Sequence, residues 1–135
     1  MDGTSRDAQP EPLLELWNDN SRIVEPMEMR DIPFEVVEWT SVPPTEHKGT
    51  SGVAVWRTRQ YGAIRVRRVE YSPGYVADHW CDKGHLVFCA AGELRTVLKD
   101  GRTLTLTAGM SYHVGDGVMA HRSQTATGAT LLIVD

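Results

Sequence analysis

From residue 53 onward the chain breaks into short alternating apolar stretches separated by glycine-containing turns, and this pattern restricts the fold more than any other feature. The run VAVWRTRQYGAIRVRRVEY interleaves β-branched and aromatic residues with polar ones, as half-buried strands do. SPG then turns the chain. Strands are expected at 75–81, 85–90, 93–98 and 102–107, separated by DKG, AAG and KDG, each with a glycine where a tight turn needs one. A further pair at 111–114 and 121–125 precedes TLLIV at 130–134. So many short strands must hide their edges, so the fold class is all-β, an antiparallel sandwich or barrel. Ile64 and Val66 share one parity while Val69 and Tyr71 share the other, which a bulge near Arg67 and Arg68 would reconcile.

The first part of the chain is organised differently. Residues 1–22 read as a flexible tail, with Pro10 and Pro12 discouraging regular structure and Leu13, Leu14 and Trp17 allowing a short helix. Residues 23–135 then form one domain, as a chain of 135 residues with 41% hydrophobic content allows. Phe34, Val36 and Val37 suggest an extended segment, and SVPPTEHKGTSG an exposed connection that leaves His47 solvated.

A net charge of -4 offers no basic footprint, so no nucleic-acid partner is expected. Arg65, Arg67 and Arg68 form the one basic run and read as a solvated strand face rather than an anion site. No apolar run approaches the roughly 18–20 residues of a membrane span. The opening residues lack the apolar core of a signal peptide, so a cytoplasmic location without membrane contact is expected. Cys81 and Cys89 are too few for a disulfide framework.

The stretch DHWCDKGH, residues 78–85, concentrates ligand-type side chains. On a strand, His79 and Cys81 share one face, and Asp78 and Trp80 take the other. Beyond the DKG turn, His85 begins the partner strand on the face of Val87 and Cys89. If that face is interior, His79, Cys81 and His85 converge, and imidazole with thiolate suits zinc, iron, nickel or copper. The alternative is a surface hairpin with solvated histidines and a small buried cysteine.

Gly74 to Gly92 resembles the first motif of the cupin superfamily, G(X)5HXH(X)3-4E(X)6G. His79 takes the first histidine position, Cys81 replaces the second, His85 replaces the glutamate, and Gly92 closes the pattern. Gly109 to His121 resembles the second motif, G(X)5PXG(X)2H(X)3N, with His121 at the ligand histidine after one extra residue. Gly115 stands in place of the proline and Thr125 in place of the asparagine. WRTRQYGAIRVRRVEYSPGYVADHWCDKGH, GELRT, GMSY and HRSQTATGATLLIVD are similar to small single-domain cupins with a DHCW motif. The resemblance implies a cupin-type double-stranded β-helix, a jelly-roll barrel, behind an N-terminal extension. It also implies a metal held by His79, Cys81, His85 and His121. Thiolate and imidazole in place of imidazole and carboxylate soften that set toward zinc or iron, with copper or nickel also open.

These residues support two functions. One is a metal-dependent enzyme acting on a small polar metabolite by Lewis-acid or oxygen chemistry, with Tyr112 or His113 moving protons. The other is a binding or sensory module whose metal is structural. Tyr71 and Tyr75 are further candidates for the cavity rim, and Ser123 and Thr125 could bring a hydroxyl near the metal. Cys89 reads as a buried structural thiol and Trp80 as packing. By analogy with resembling barrels, a homodimer is expected.

Overall fold

The computed structural model describes residues 27–135 and, before them, the backbone of two short strands. It divides into two compact units, Met1–Ile32 and Pro33–Asp135. In the first, β1 (Leu16–Trp17) pairs antiparallel with β2 (Ile23–Val24). Of the expected short helix, Leu13 and Leu14 lie outside the described residues, and Trp17 is in this strand pair.

The second unit is almost entirely β. After a short 3-10 turn at Trp39–Ser41 come β3 (Pro44–Lys48), β4 (Val53–Tyr61), β5 (Ile64–Tyr71) and β6 (His85–Leu98). β7 (Thr103–Thr107), β8 (Ser111–Val114), β9 (His121–Gln124) and β10 (Ala129–Val134) follow. The strand order is β3-β4-β5-β10-β6-β7, with β8 and β9 also paired to β6. Every ladder is antiparallel. Among the described residues no helix is long and apolar enough to cross a membrane.

β6 is the hinge of this architecture. Its first half pairs with β10 and β8, and its second half with β7 and β9. AAG was expected to be a turn, but it lies inside this single strand. Leu131 faces Cys89 while Thr130 faces Ala91, so Ala90 is an extra residue and the strand bulges there. The bulge switches the inward side chains from Val87 and Cys89 to Leu94 and Thr96. Gly92, with φ 79, carries the bend, and any Cβ there would run into the Gly128 carbonyl. One strand thereby passes from one sheet to the other.

The core is Ala54, Val69, Val87, Cys89, Leu94, Leu106, Leu131 and Ile133, drawn from strands of both sheets. On β10 the alternation is regular: Ala129, Leu131 and Ile133 are buried, and the residues between them are half-buried. β5 departs from expectation. Its registers with β4 and β10 run unbroken, so there is no bulge at Arg67 and Arg68. Parity then places Arg65 and Arg67 on the same face as Val69 and Tyr71, and Arg67 is only 6% exposed. The basic run is therefore not a wholly solvated face: its first two arginines point inward.

Candidate metal centre

Cys81, His85 and His121 come together at one end of the barrel, with their ligand atoms all within 4.8 Å of one another. Backbone pairing fixes two of them. Cys81 N donates to His121 O at 2.7 Å and His121 N donates back to Cys81 O at 2.9 Å, forming an isolated bridge between them. His85 arrives from the other sheet, as the first residue of β6 opposite Val114 of β8. The DKG segment is therefore not the tip of a hairpin. It links the two sheets, anchored where Gly84 N donates to Asp116 Oδ1 and Gly117 N to Asp82 O.

The strand expected at 75–81 is absent, since only Val76 and Cys81 make isolated bridges and the backbone bends at Asp78–His79. With no continuous ladder, alternation does not carry from Cys81 back to His79. The His79 side chain is 77% exposed and its Nδ1 lies 2.6 Å from Asp78 Oδ1. It lines the cavity but does not join the three-residue cluster.

Partners at the far ring nitrogens orient both remaining imidazoles. His121 Nδ1 donates to the Met119 carbonyl at 2.8 Å, which leaves a lone pair on Nε2 when the ring is neutral. His85 Nδ1 faces the Asp135 carboxylate at 3.5 Å, a long contact whose charge favours the proton on that nitrogen. The Tyr112 hydroxyl lies 3.2 Å from His85 Nε2, suited to donate to it. Burial first, then the charge of His121, holds His85 below the usual imidazole range, so the ring is neutral near pH 7.

The two Nε2 atoms lie 2.9 Å apart, a hydrogen-bond contact in which one ring donates to the other. With the proton of each ring on Nδ1, both Nε2 lone pairs would be free for a divalent cation in place of that hydrogen bond. Bonds of about 2.0–2.3 Å in a tetrahedron put donor atoms roughly 3.3–3.8 Å apart. The separations here, 2.9 Å between nitrogens and 4.8 Å at most, bracket that range. The carboxylate behind His85 and the carbonyl behind His121 are the outer partners that metal-bound histidines use.

The cluster opens into a cavity of about 190 Å³. Tyr71, Tyr75 and Tyr112 all line it, as does Ser123, whereas Thr125 is turned away and donates to the Glu93 carbonyl. Burial raises the Tyr112 phenol well above its usual value, so it keeps its proton. His113, expected as a possible proton carrier, is exposed and pairs with Leu86 on the outward face of the same ladder, away from the cavity wall. One-residue alternation along β8 sends Tyr112 in and His113 out. Cys89 is buried in the core and does not line the cavity. Trp80 packs between Lys99 and Arg122, 4.4 and 4.8 Å from its ring centroid. His47 is not simply solvated, since it stacks on Trp56 at 3.8 Å.

Sequence reasoning missed one group. Asp135 accepts from Arg65 Nε at 3.0 Å, Arg65 Nη2 at 3.2 Å and Arg67 Nη2 at 3.0 Å, and is 2% exposed. Burial alone would raise its carboxyl, but the Arg65 hydrogen bond and the two guanidinium charges outweigh that and lower it. The available signal was the parity of Val69 and Tyr71, which extends back to Arg67 and Arg65 if no bulge intervenes.

Neither a protein-family model nor a curated protein sequence matches the chain. Solved structures do. A predicted oxalate decarboxylase from Thermotoga maritima superposes with a TM-score of 0.65 at 16% identity, covering 74% of this chain and 96% of that one. An RmlC-like cupin from Shewanella frigidimarina gives 0.58 at 18% identity, covering 78% and 92%. The polyketide cyclase RemF from Streptomyces resistomycificus gives 0.61 at 19% identity, covering 76% and 78%.

Proposed function

The chain has the cupin fold, and from that premise we propose that it is a metal-dependent enzyme acting on a small polar metabolite. The observation that carries this reading is the meeting of Cys81, His85 and His121, two imidazoles and a thiol, in the wall of a cavity. Three protein donors leave at least one coordination position for a substrate or water, the arrangement of catalytic rather than structural zinc sites. A mixed sulfur and nitrogen set suits zinc or iron. When bound, such an ion polarises a coordinated oxygen and acidifies bound water.

The chain's own residues supply the rest. The Met119 carbonyl orients His121 through Nδ1, and the Asp135 carboxylate lies beside His85 Nδ1. Tyr112, protonated and within reach of His85 Nε2, is the group placed to hold or donate a proton inside the cavity. Two of the solved structures that share the fold carry enzyme names, a predicted oxalate decarboxylase and a polyketide cyclase, in keeping with a catalytic role.

The competing reading is a closed structural site, which needs His79 as a fourth ligand. Its ring is instead turned to Asp78 and exposed. Chelator dialysis followed by readdition of zinc or ferrous iron tests the proposal. The metal should rebind at one ion per chain in the wild type and fail to rebind in Cys81→Ala/His121→Ala. Unchanged rebinding in that variant would refute the assignment.

A further inference from the structure

The cavity wall that carries the metal donors also carries a surplus of positive charge. Arg65 and Arg67 lie two residues apart on β5 and share a single carboxylate, Asp135. Arg122 adds another cation to the lining, as does Lys83, which pairs with Asp116 at 3.6 Å. Arg65 engages Asp135 through a two-bond fork, whereas Arg67 spends only Nη2 on it. A guanidinium has five N–H donors and no acceptor. The Arg67 side chain is 7% exposed and its Nε is buried without a partner among the described residues. Its face rests 4.3 Å from the Trp56 ring centroid, so the ring fixes the guanidinium plane and leaves its edge to make hydrogen bonds.

We infer that this cavity receives a small monocarboxylate, its two oxygens on the Arg67 guanidinium and its neighbouring oxygenated carbon toward Cys81, His85 and His121. The buried Arg67 shares its one carboxylate, Asp135, with the half-exposed Arg65, and a bound carboxylate would supply the counter-charge that Arg67 lacks. A guanidinium edge matches a planar two-oxygen anion better than a tetrahedral one. Arg67, Cys81, His85 and His121 line the same cavity, and Asp135 Oδ2, 3.0 Å from Arg67 Nη2 and 3.5 Å from His85 Nδ1, stands behind both halves of the site. A 2-hydroxy or 2-oxo acid presents a carboxylate and a neighbouring oxygen to two such halves of one cavity. A cavity of about 190 Å³ has room for a few-carbon acid. Burial first, then the neighbouring Arg65, holds Arg67 below the usual guanidinium range, against the opposing pull of Asp135, and it stays charged.

The inference rests on the metal-site reading for which end of the bound acid reacts, but the arginine half is testable by itself. Calorimetric titration of glycolate, its neutral counterpart glycolamide and inorganic phosphate would be run on metal-loaded and chelator-treated full-length protein. Circular dichroism would confirm that each variant is folded. Glycolate should bind at one per chain and glycolamide at least about tenfold more weakly, the loss of a charged hydrogen-bond pair being worth about ten- to a hundredfold. Arg67→Lys, which keeps the charge but not the fork, should weaken glycolate by about tenfold. Arg67→Met should abolish its binding. Equal affinity for glycolamide, tighter binding of phosphate than of glycolate, or unchanged glycolate affinity in folded Arg67→Met would each overturn the inference. The two readings fail separately. Glycolate binding by a protein that takes up no metal sinks the metal site and upholds the arginine site, and stoichiometric metal without glycolate binding does the reverse.

Discussion

Replacing Asp135 with asparagine removes the one carboxylate that faces two inward guanidinium groups and a histidine. The cost follows from burial. Arg65 is 35% exposed, so water screens much of its loss, whereas Arg67 is 7% exposed and is left as a buried cation without a counter-charge. Breaking a buried pair from one side costs about 3–5 kcal/mol, and the screened half argues for the low end, about 3 kcal/mol. For a domain of roughly 100 residues this lowers Tm by about 12–24 °C. Scanning calorimetry of Asp135→Asn would be compared with Glu70→Gln, which breaks the half-exposed pair with Arg68 and should cost about 1 kcal/mol or less. The pH dependence supplies an independent check. The folded Asp135 carboxyl lies below its ordinary value of 3.8, so its contribution is complete above that pH. As pH falls through the lower folded value the contribution disappears, and wild type and Asp135→Asn should converge in stability. Equal losses for Asp135→Asn and Glu70→Gln, or a gap between wild type and Asp135→Asn that persists in acid, would refute the charge argument.

Other outcomes follow from the same geometry. Gly92→Ala should destabilise the barrel by about 2 kcal/mol or more, because φ 79 strains any side chain and the new methyl meets the Gly128 carbonyl; urea unfolding reads it. His79→Ala should retain metal at wild-type stoichiometry by elemental analysis, since its ring stands outside the three-donor cluster; loss of the ion would restore His79 as a ligand. The homodimer expected by analogy with resembling barrels should sediment at twice 15.0 kDa, and a wild type at 15.0 kDa would remove that expectation.

Much of the barrel was legible because alternation is a local property. The strands at 103–107, 111–114, 121–124 and 129–134 fall where residue types and glycine turns place them. Cys81 and His85 stood out by residue type within DHWCDKGH, and His121 through the resemblance of Gly109 to His121 to a cupin motif; the structure brings the three side chains together. What escaped was set by partners distant in sequence. AAG reads as a turn by composition, yet Gly92 is where β6 crosses between sheets, and only its pairing with β10 shows that. Arg65 and Arg67 read as solvent-facing because arginines on strands usually are. Their inward course depends on Asp135, 70 and 68 positions away, which no local window contains. His79 was assigned by parity along a strand that does not form, and two isolated bridges cannot keep alternation in phase across the bend at Asp78.

X-ray absorption at the edge of the bound zinc or iron tests the central claim most directly, because it counts the ligands around the ion itself. Three protein donors from Cys81, His85 and His121 predict one sulfur at about 2.3 Å and two imidazole nitrogens at about 2.0–2.1 Å, completed by a light non-protein atom. A first shell without sulfur, or one with three imidazoles and no exchangeable ligand, would contradict the open Cys81, His85 and His121 centre.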